Sequence, residues 1–186
     1  MKLISFTGAQ STGKTTLLNK CKQELPGNWY YVDEVTRYVK SRYGEPINER
    51  GTDMTQIMII NTHVENAYLP VKLKDSKVDG IILDRCIVDG LVYTEWLYEQ
   101  GKVSKWVLDY AKEIYKLLLP KLDFILYTDP NIPLVDDGER SINVGFRKDI
   151  INKFDSLFSN IHFAHSLHIL SGDISTRFKA LNEIVL

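Results

Sequence analysis

Cysteine is scarce: Cys21 and Cys86 are the only two among 186 residues, too few for a disulfide framework and without the paired spacing of a zinc site. They are expected as reduced, buried thiols of a cytoplasmic protein. Long apolar runs are missing too. Met1-Lys2 leads straight into Leu3-Ile4-Ser5-Phe6, with no stretch suited to a signal peptide or a membrane span, so no membrane partner is expected. Neither sign of charge dominates, because 23 basic and 24 acidic side chains nearly cancel. No global field therefore draws the chain to nucleic acid or to an anionic surface, which leaves only a local basic groove for that purpose. Repeats, low-complexity tracts and Gly/Ser-rich linkers are absent, so one domain over residues 1–186 is expected. What is present, 44% hydrophobic and 25% charged residues, is ordinary globular usage for a domain of this length.

Short apolar runs at residues 3–7, 29–32, 80–84, 124–127 and 167–170 predict strands. Between them, helices are predicted over 14–25, 35–43, 53–69, 88–99, 103–119, 146–158 and 174–184. Gly44, Pro46, Gly101 and Pro120 supply the stops, and Thr52 or Asp53 the start of the third helix. Residues 47–51 read as loop, and 129–145 as a long polar loop. Strands that alternate with helices and are apolar throughout suit a doubly wound α/β fold. Its five-stranded parallel sheet would carry helices on both faces and take ligands at the carboxyl ends of the strands.

Gly8-Ala9-Gln10-Ser11-Thr12-Gly13-Lys14-Thr15 matches the phosphate-loop pattern without a mismatch, between a predicted strand and a predicted helix. The glycines let backbone N–H groups close around phosphate oxygens, Lys14 reaches the β and γ phosphates, and the Thr15 hydroxyl is a ligand for Mg²⁺. ATP with Mg²⁺ is the expected cofactor pair. The competing reading is a turn rich in Gly, Ser and Thr for turn chemistry alone. Asp84, at the tip of a buried strand, sits where a carboxylate orders Mg²⁺; otherwise it would cap the next helix.

Three further sets decide what happens to the γ-phosphate. Asp33, Glu34 and Arg37 follow the second strand, where a carboxylate can accept the proton of an attacking hydroxyl. Arg85 stands beside Asp84, with Asp89 close behind, and can hold an anionic or transferring phosphate. Asp136, Asp137, Gly138, Glu139 and Arg140, then Arg147 and Lys148, have the make-up of a lid over about 129–147 that excludes water. The alternatives are a favoured first helical turn, a structural ion pair and a solvated surface turn.

These residues resemble the small P-loop kinases of the ribosylnicotinamide kinase type, the kinase domain of bacterial NAD-biosynthesis regulators, over most of the chain. The phosphate loop through Thr16 carries the likeness, with Glu34 and Arg37 three residues apart and the Asp137-Gly138-Glu139-Arg140 core. The resemblance implies ATP-dependent phosphorylation of a nucleoside-like hydroxyl, nicotinamide riboside being the favoured acceptor. It places Glu34 or Asp33 near that hydroxyl, Arg140 over the phosphates, and adenine near Ser171, Gly172 and Asp173. Asp84-Arg85 also resembles the Asp-Arg step of thymidylate and deoxynucleoside kinases. A nucleoside monophosphate, a DNA 5′ end or a hydroxymethylated base thus remains an alternative acceptor, with Lys40, Arg42 and Arg50 as the local basic supply. The family pattern for guanine reading, Asn-Lys-x-Asp, is absent, which speaks against a GTPase switch. A non-catalytic nucleotide-dependent binding protein is a further alternative.

Trp29, Tyr31, Tyr38, Tyr93, Trp96 and Tyr98 could face a base or nicotinamide ring, although aromatics at such spacing mostly pack in the core. The histidines His63, His162, His165 and His168 form no metal-ligand pattern and read as structural or surface residues. Oligomeric state is not legible.

Overall fold

The computed structural model describes residues 1–131, 143–160 and 166–185. Strands β1 (Lys2–Thr7), β2 (Trp29–Val32), β3 (Gly80–Asp84), β4 (Phe124–Thr128) and β5 (Leu167–Leu170) form one sheet in the order β2-β3-β1-β4-β5. Every pairing is parallel. The helices are α1 (Lys14–Glu24), α2 (Val35–Tyr43), α3 (Asp53–Ala67), a single turn α4 (Leu69–Lys72), α5 (Ile87–Glu99), α6 (Lys105–Leu118), α7 (Val144–Asn160) and α8 (Ile174–Val185). Short 3₁₀ turns lie at Asn48–Arg50 and Leu119–Lys121.

Side chains of successive strand residues point to opposite faces, and the strands feed two cores accordingly. Leu3, Ile81, Leu83, Ile125 and Tyr127 pack into a cluster with residues of α5, α6 and α7. Ile4, Phe6, Ile82 and Leu126 pack with Leu17 and Leu18 of α1 and Leu181 of α8. The central strands are therefore mostly apolar, as a sheet covered on both faces requires, with buried polar residues such as Thr7, Asp84 and Thr128 at their carboxyl ends. At the sheet edges this demand relaxes: Tyr30 of β2 and Ile169 of β5 are exposed. Cys21 and Cys86 are both buried and free. Among the described residues no helix is long and apolar enough to cross a membrane.

Element bounds depart from the sequence expectation where tertiary contacts or proline intervene. The helix expected over 53–69 ends at Ala67, and a separate turn with Pro70 in its first residues follows; proline can start a helical turn but not continue one. Thr52 rather than Asp53 caps α3, its hydroxyl accepting from the Thr55 N–H. Asp53 instead binds the N–H and hydroxyl of Ser104, and α6 starts at Lys105, two residues later than expected. The helix expected from 146 begins at Val144, where the Asn143 side chain accepts from the Phe146 N–H. Residues 47–51, expected as loop, contain one 3₁₀ turn.

The topology puts β1 in the centre, with β3 on one side and β4 on the other. The loop after β1 thus opens at the switch point of a doubly wound sheet, where ligands of such sheets bind.

Candidate active site

The loop leaves β1 at Gly8 with φ +133°, passes Ser11 at +56° and enters α1 through Gly13 at +82°. A Cβ on Gly8 would lie 3.1 Å from Thr128 Oγ1 and 3.3 Å from its carbonyl, so both backbone angle and space require glycine there. Ala9, Gln10, Ser11 and Thr12 are buried, whereas Thr16 is exposed on the first turn of α1. The Lys14 ammonium lies inside the loop and donates to the carbonyls of Gly8 (2.9 Å) and Ala9 (2.6 Å) and to Thr12 Oγ1 (3.1 Å). Burial, aided by the Arg85 charge, pulls its pKa down to about 7. Thr12 is tied in turn to Thr128 Oγ1 at 2.6 Å, which fixes the loop to the end of β4.

Thr15 Oγ1 donates to Asp84 Oδ2 at 3.0 Å. Asp84 is 1% exposed, and its Oδ1 has no hydrogen-bond partner among the described residues. Burial and the neighbouring Glu34 carboxylate push its pKa up. An ionised carboxylate that is buried and half-satisfied is costly alone, and a hydroxyl beside it completes a hard-oxygen corner. The pair fits Mg²⁺, which takes one or two protein oxygens and keeps the rest for water and phosphate. Asp84 does not cap α5; Cys86 occupies that position.

Next to Asp84, Arg85 adopts φ +84°, unusual for a side chain with a Cβ. Its Nε donates to Glu34 Oε1 (2.8 Å), and its Nη1 to Asp89 Oδ1 (2.7 Å) and to the Gly8 carbonyl (3.0 Å). Arg37 reaches the other Glu34 oxygen at 3.1 Å. Burial works against ionisation of Glu34, but Arg85, by charge and hydrogen bond, together with Lys14 and Arg37 outweighs it and holds the pKa near about 2. Asp89 also accepts from the Thr7 hydroxyl (2.7 Å) and the Gly8 N–H (3.3 Å), so it buttresses the root of the loop.

His63 is buried behind this cluster, and burial, opposed by Asp89 and reinforced by Arg85, lowers its pKa to about 4. The unfolded chain, near about 6.5, binds a proton that the folded one refuses between these values, so stability falls as pH drops from about 6.5 to 4. Urea unfolding across that window should show this slope, and His63→Gln should flatten it.

The remaining candidates separate. Asp33 turns outward, 81% exposed, and pairs with Lys22 at 2.6 Å, while its neighbour Glu34 turns in. Gly172 has φ +88°, and Asp173 Oδ1 accepts from the Thr176 N–H at the start of α8. Arg147 is half-buried and donates to the carbonyls of Gln10 (3.2 Å) and Pro130 (3.0 Å), which lays it against the phosphate loop. Asp136, Asp137, Gly138, Glu139, Arg140, His162 and His165 lie outside the described residues. Tyr93 and Trp96 pack edge-on against Phe146 in the core, whereas Tyr38 is exposed at the rim of a cleft of about 780 Å³ between α2 and α3. Thr15, Glu34, Arg37, Asp84 and Asn66 line that cleft, so it opens directly onto the hydrogen-bonded Thr15–Asp84 pair. Sequence reading passed over Thr128 and Arg177 and left Asp89 without a role. Among the described residues no group of three or more His, Cys, Asp or Glu side chains could hold a metal ion.

The family described as AAA domain matches residues 3–177. The chain belongs to it. One solved structure similar in fold is the "NadR protein in complex with NR", with a TM-score of 0.77 and 17% identity, covering 99% of this chain and 50% of that one. Deoxyadenosine kinase from M. mycoides with products dCMP and dCDP superimposes with a TM-score of 0.70 at 14% identity, over 98% and 97% of the two chains. The same enzyme with bound dATP gives 0.65. At such identity the likeness shows the fold, a five-stranded parallel sheet with the phosphate loop after its central strand. By sequence, the mouse mitochondrial NADH dehydrogenase [ubiquinone] 1 alpha subcomplex subunit 10 is 29% identical over 90 residues, 42% of this chain and 25% of that protein. The match thus spans a quarter of that relative's length, and the chain spans half of the NadR structure.

Proposed function

We propose that this chain transfers the γ-phosphoryl group of ATP, with Mg²⁺, to a hydroxyl of a nucleoside-like small molecule. The observation that carries the proposal is the Arg85 side chain: it joins the Gly8 carbonyl of the phosphate loop to the Glu34 carboxylate at the wall of the cleft. Donor and acceptor halves of a kinase site then lie on either side of one guanidinium.

The reaction is an in-line displacement in which the acceptor oxygen bonds to the γ-phosphorus, the bond from that phosphorus to the β–γ bridging oxygen breaks, and ADP leaves. Lys14 would give up its loop carbonyls for β and γ oxygens, and the loop N–H groups would spread the remaining charge. Thr15 and Asp84 would hold Mg²⁺, which would supply charge neutralisation for the triphosphate. Glu34 takes the hydroxyl proton. A carboxylate held near about 2 is a weak base but a firm hydrogen-bond acceptor. It therefore orients the hydroxyl and receives the proton late, which a loose transition state tolerates. The neighbouring kinases support this class of acceptor, and the NadR complex makes nicotinamide riboside the first one to test. A second reading, a nucleotide or nucleic-acid acceptor, draws on α2, which carries Arg37, Lys40 and Arg42 and no acidic residue.

Labelled ATP with a panel of nicotinamide riboside, nucleosides, nucleoside monophosphates and hydroxymethylated DNA distinguishes these readings by which species gains phosphate. Hydrolysis that no acceptor stimulates would count against both. In the proposed enzyme Glu34→Gln should lower kcat by about a hundredfold or more and leave the KM for ATP within about twofold.

A further inference from the structure

Arg177 lies on α8, remote in sequence from the phosphate loop, yet its guanidinium is in contact with it. The residue is 2% exposed, and among the described residues its guanidinium donates to backbone carbonyls: Thr12 by Nη1 (2.7 Å), Gly172 by Nε (2.8 Å) and Asp129 by Nη2 (3.1 Å). These carbonyls belong to the loops at the carboxyl ends of β1, β5 and β4. The Asp129 carboxylate is engaged elsewhere, by the Ser171 hydroxyl and the Asn131 N–H. A buried cation that spends its donors on loop carbonyls carries a desolvation cost that packing alone does not require.

The contact with Thr12 has a geometric effect on the next residue. In a trans peptide the C=O and N–H point in opposite directions, and this chain has no cis bond among its described residues. With the Thr12 carbonyl held on the α8 side, the Gly13 N–H faces away from α8. Gly13 sits at φ +82°, where glycine moves freely, so nothing in its own stereochemistry prevents that peptide from turning over. Turned over, it would aim a carbonyl oxygen at an anion.

We infer that Arg177 is a positioning residue for the triphosphate, holding the Thr12–Gly13 peptide so that its N–H faces the phosphates. In doing so it ties the phosphate end of the site to the loops after β4 and β5. Arginine suits the task because its planar fork offers five donors in fixed directions, enough for three separate carbonyls, whereas an ammonium offers a point charge. The inference rests on the proposed ATP-binding role of the loop.

The test compares wild type with Arg177→Met and Arg177→Lys, the latter keeping charge and stem in case the former fails to fold. Circular dichroism and thermal unfolding report the fold, and direct titration reports binding of ATP and of inorganic tripolyphosphate, which has no base. Folded variants are expected to bind both probes about tenfold or more weakly, with Arg177→Lys intermediate or equal to Arg177→Met. The KM for ATP should rise with them, while the KM of the acceptor stays within about threefold. Folded variants that keep wild-type affinity for tripolyphosphate would overturn the inference, as would losses confined to Tm and kcat. A wild type that binds neither probe overturns the ATP-binding reading together with it; unaffected variants of a wild type that binds overturn this inference alone.

Discussion

A Lys14→Met variant should fold and yet lose phosphoryl transfer by about a thousandfold or more, because the transferring group is stabilised almost entirely by charge and position. Folding should suffer little. The ammonium is fully enclosed by the loop, and the folded protein lowers its pKa from the ordinary 10.5 to about 7. Below the folded value both states carry the proton and the cost of burying the cation is fully felt. Between about 7 and 10.5 the unfolded state binds more protons, so stability rises with pH across that window. Lys14→Met should remove this rise and be at least as stable as wild type at pH 7, which urea unfolding at several pH values checks. The same shift gives nucleotide binding a proton signature. Phosphate oxygens beside Lys14 restore its charge, so at about pH 8.5 titration calorimetry in buffers of different ionisation enthalpy should show about one proton taken up per ATP bound. Binding without proton uptake would mean that Lys14 is already charged in the free protein.

Arg85→Ala should have the largest effect on stability. It leaves two buried carboxylates, Glu34 and Asp89, without the guanidinium that joins them, and breaking a buried pair in this way costs about 3–5 kcal/mol. For a chain of this length that corresponds to a fall in Tm on the order of 10 °C. Activity should vanish with it. Adding Glu34→Gln and Asp89→Asn to Arg85→Ala should return part of the stability and none of the activity, since neutral amides need no counter-charge. A triple variant as unstable as Arg85→Ala would assign the loss to packing against Tyr93 instead, whose ring lies 5.4 Å from the guanidinium.

The strands and the phosphate loop were readable because each is a local pattern: a run of apolar residues closed by a glycine or a carboxylate. Glu34, Asp84 and Arg85 were readable for the same reason, standing at strand ends that a parallel sheet brings together. Which of Asp33 and Glu34 pairs with Arg85 was not, because adjacent residues at a strand end differ only in the direction they leave it. The structure sends one to Lys22 and the other to Arg85. Asp89 did leave a trace, the Cys86-x-x-Asp89 spacing of a capping box, hidden because cysteine is a rare first member. Thr128 and Arg177 left none. Their partners in the phosphate loop lie 116 and 165 residues away, and no short-range pattern encodes a contact at that separation. Helix starts moved for the same reason, as where Asp53 of α3 fixes the first turn of α6 through Ser104.

Arg85 bonds at one end to the loop's first carbonyl and at the other to the carboxylate at the cleft wall, so a pull on either is felt by its opposite. Thermodynamic reciprocity then applies: whatever factor an acceptor contributes to the affinity for ATP, ATP must return to the acceptor. Titrating each ligand with and without the other should give equal ratios, and in an otherwise folded Arg85→Lys protein both should shrink toward one together.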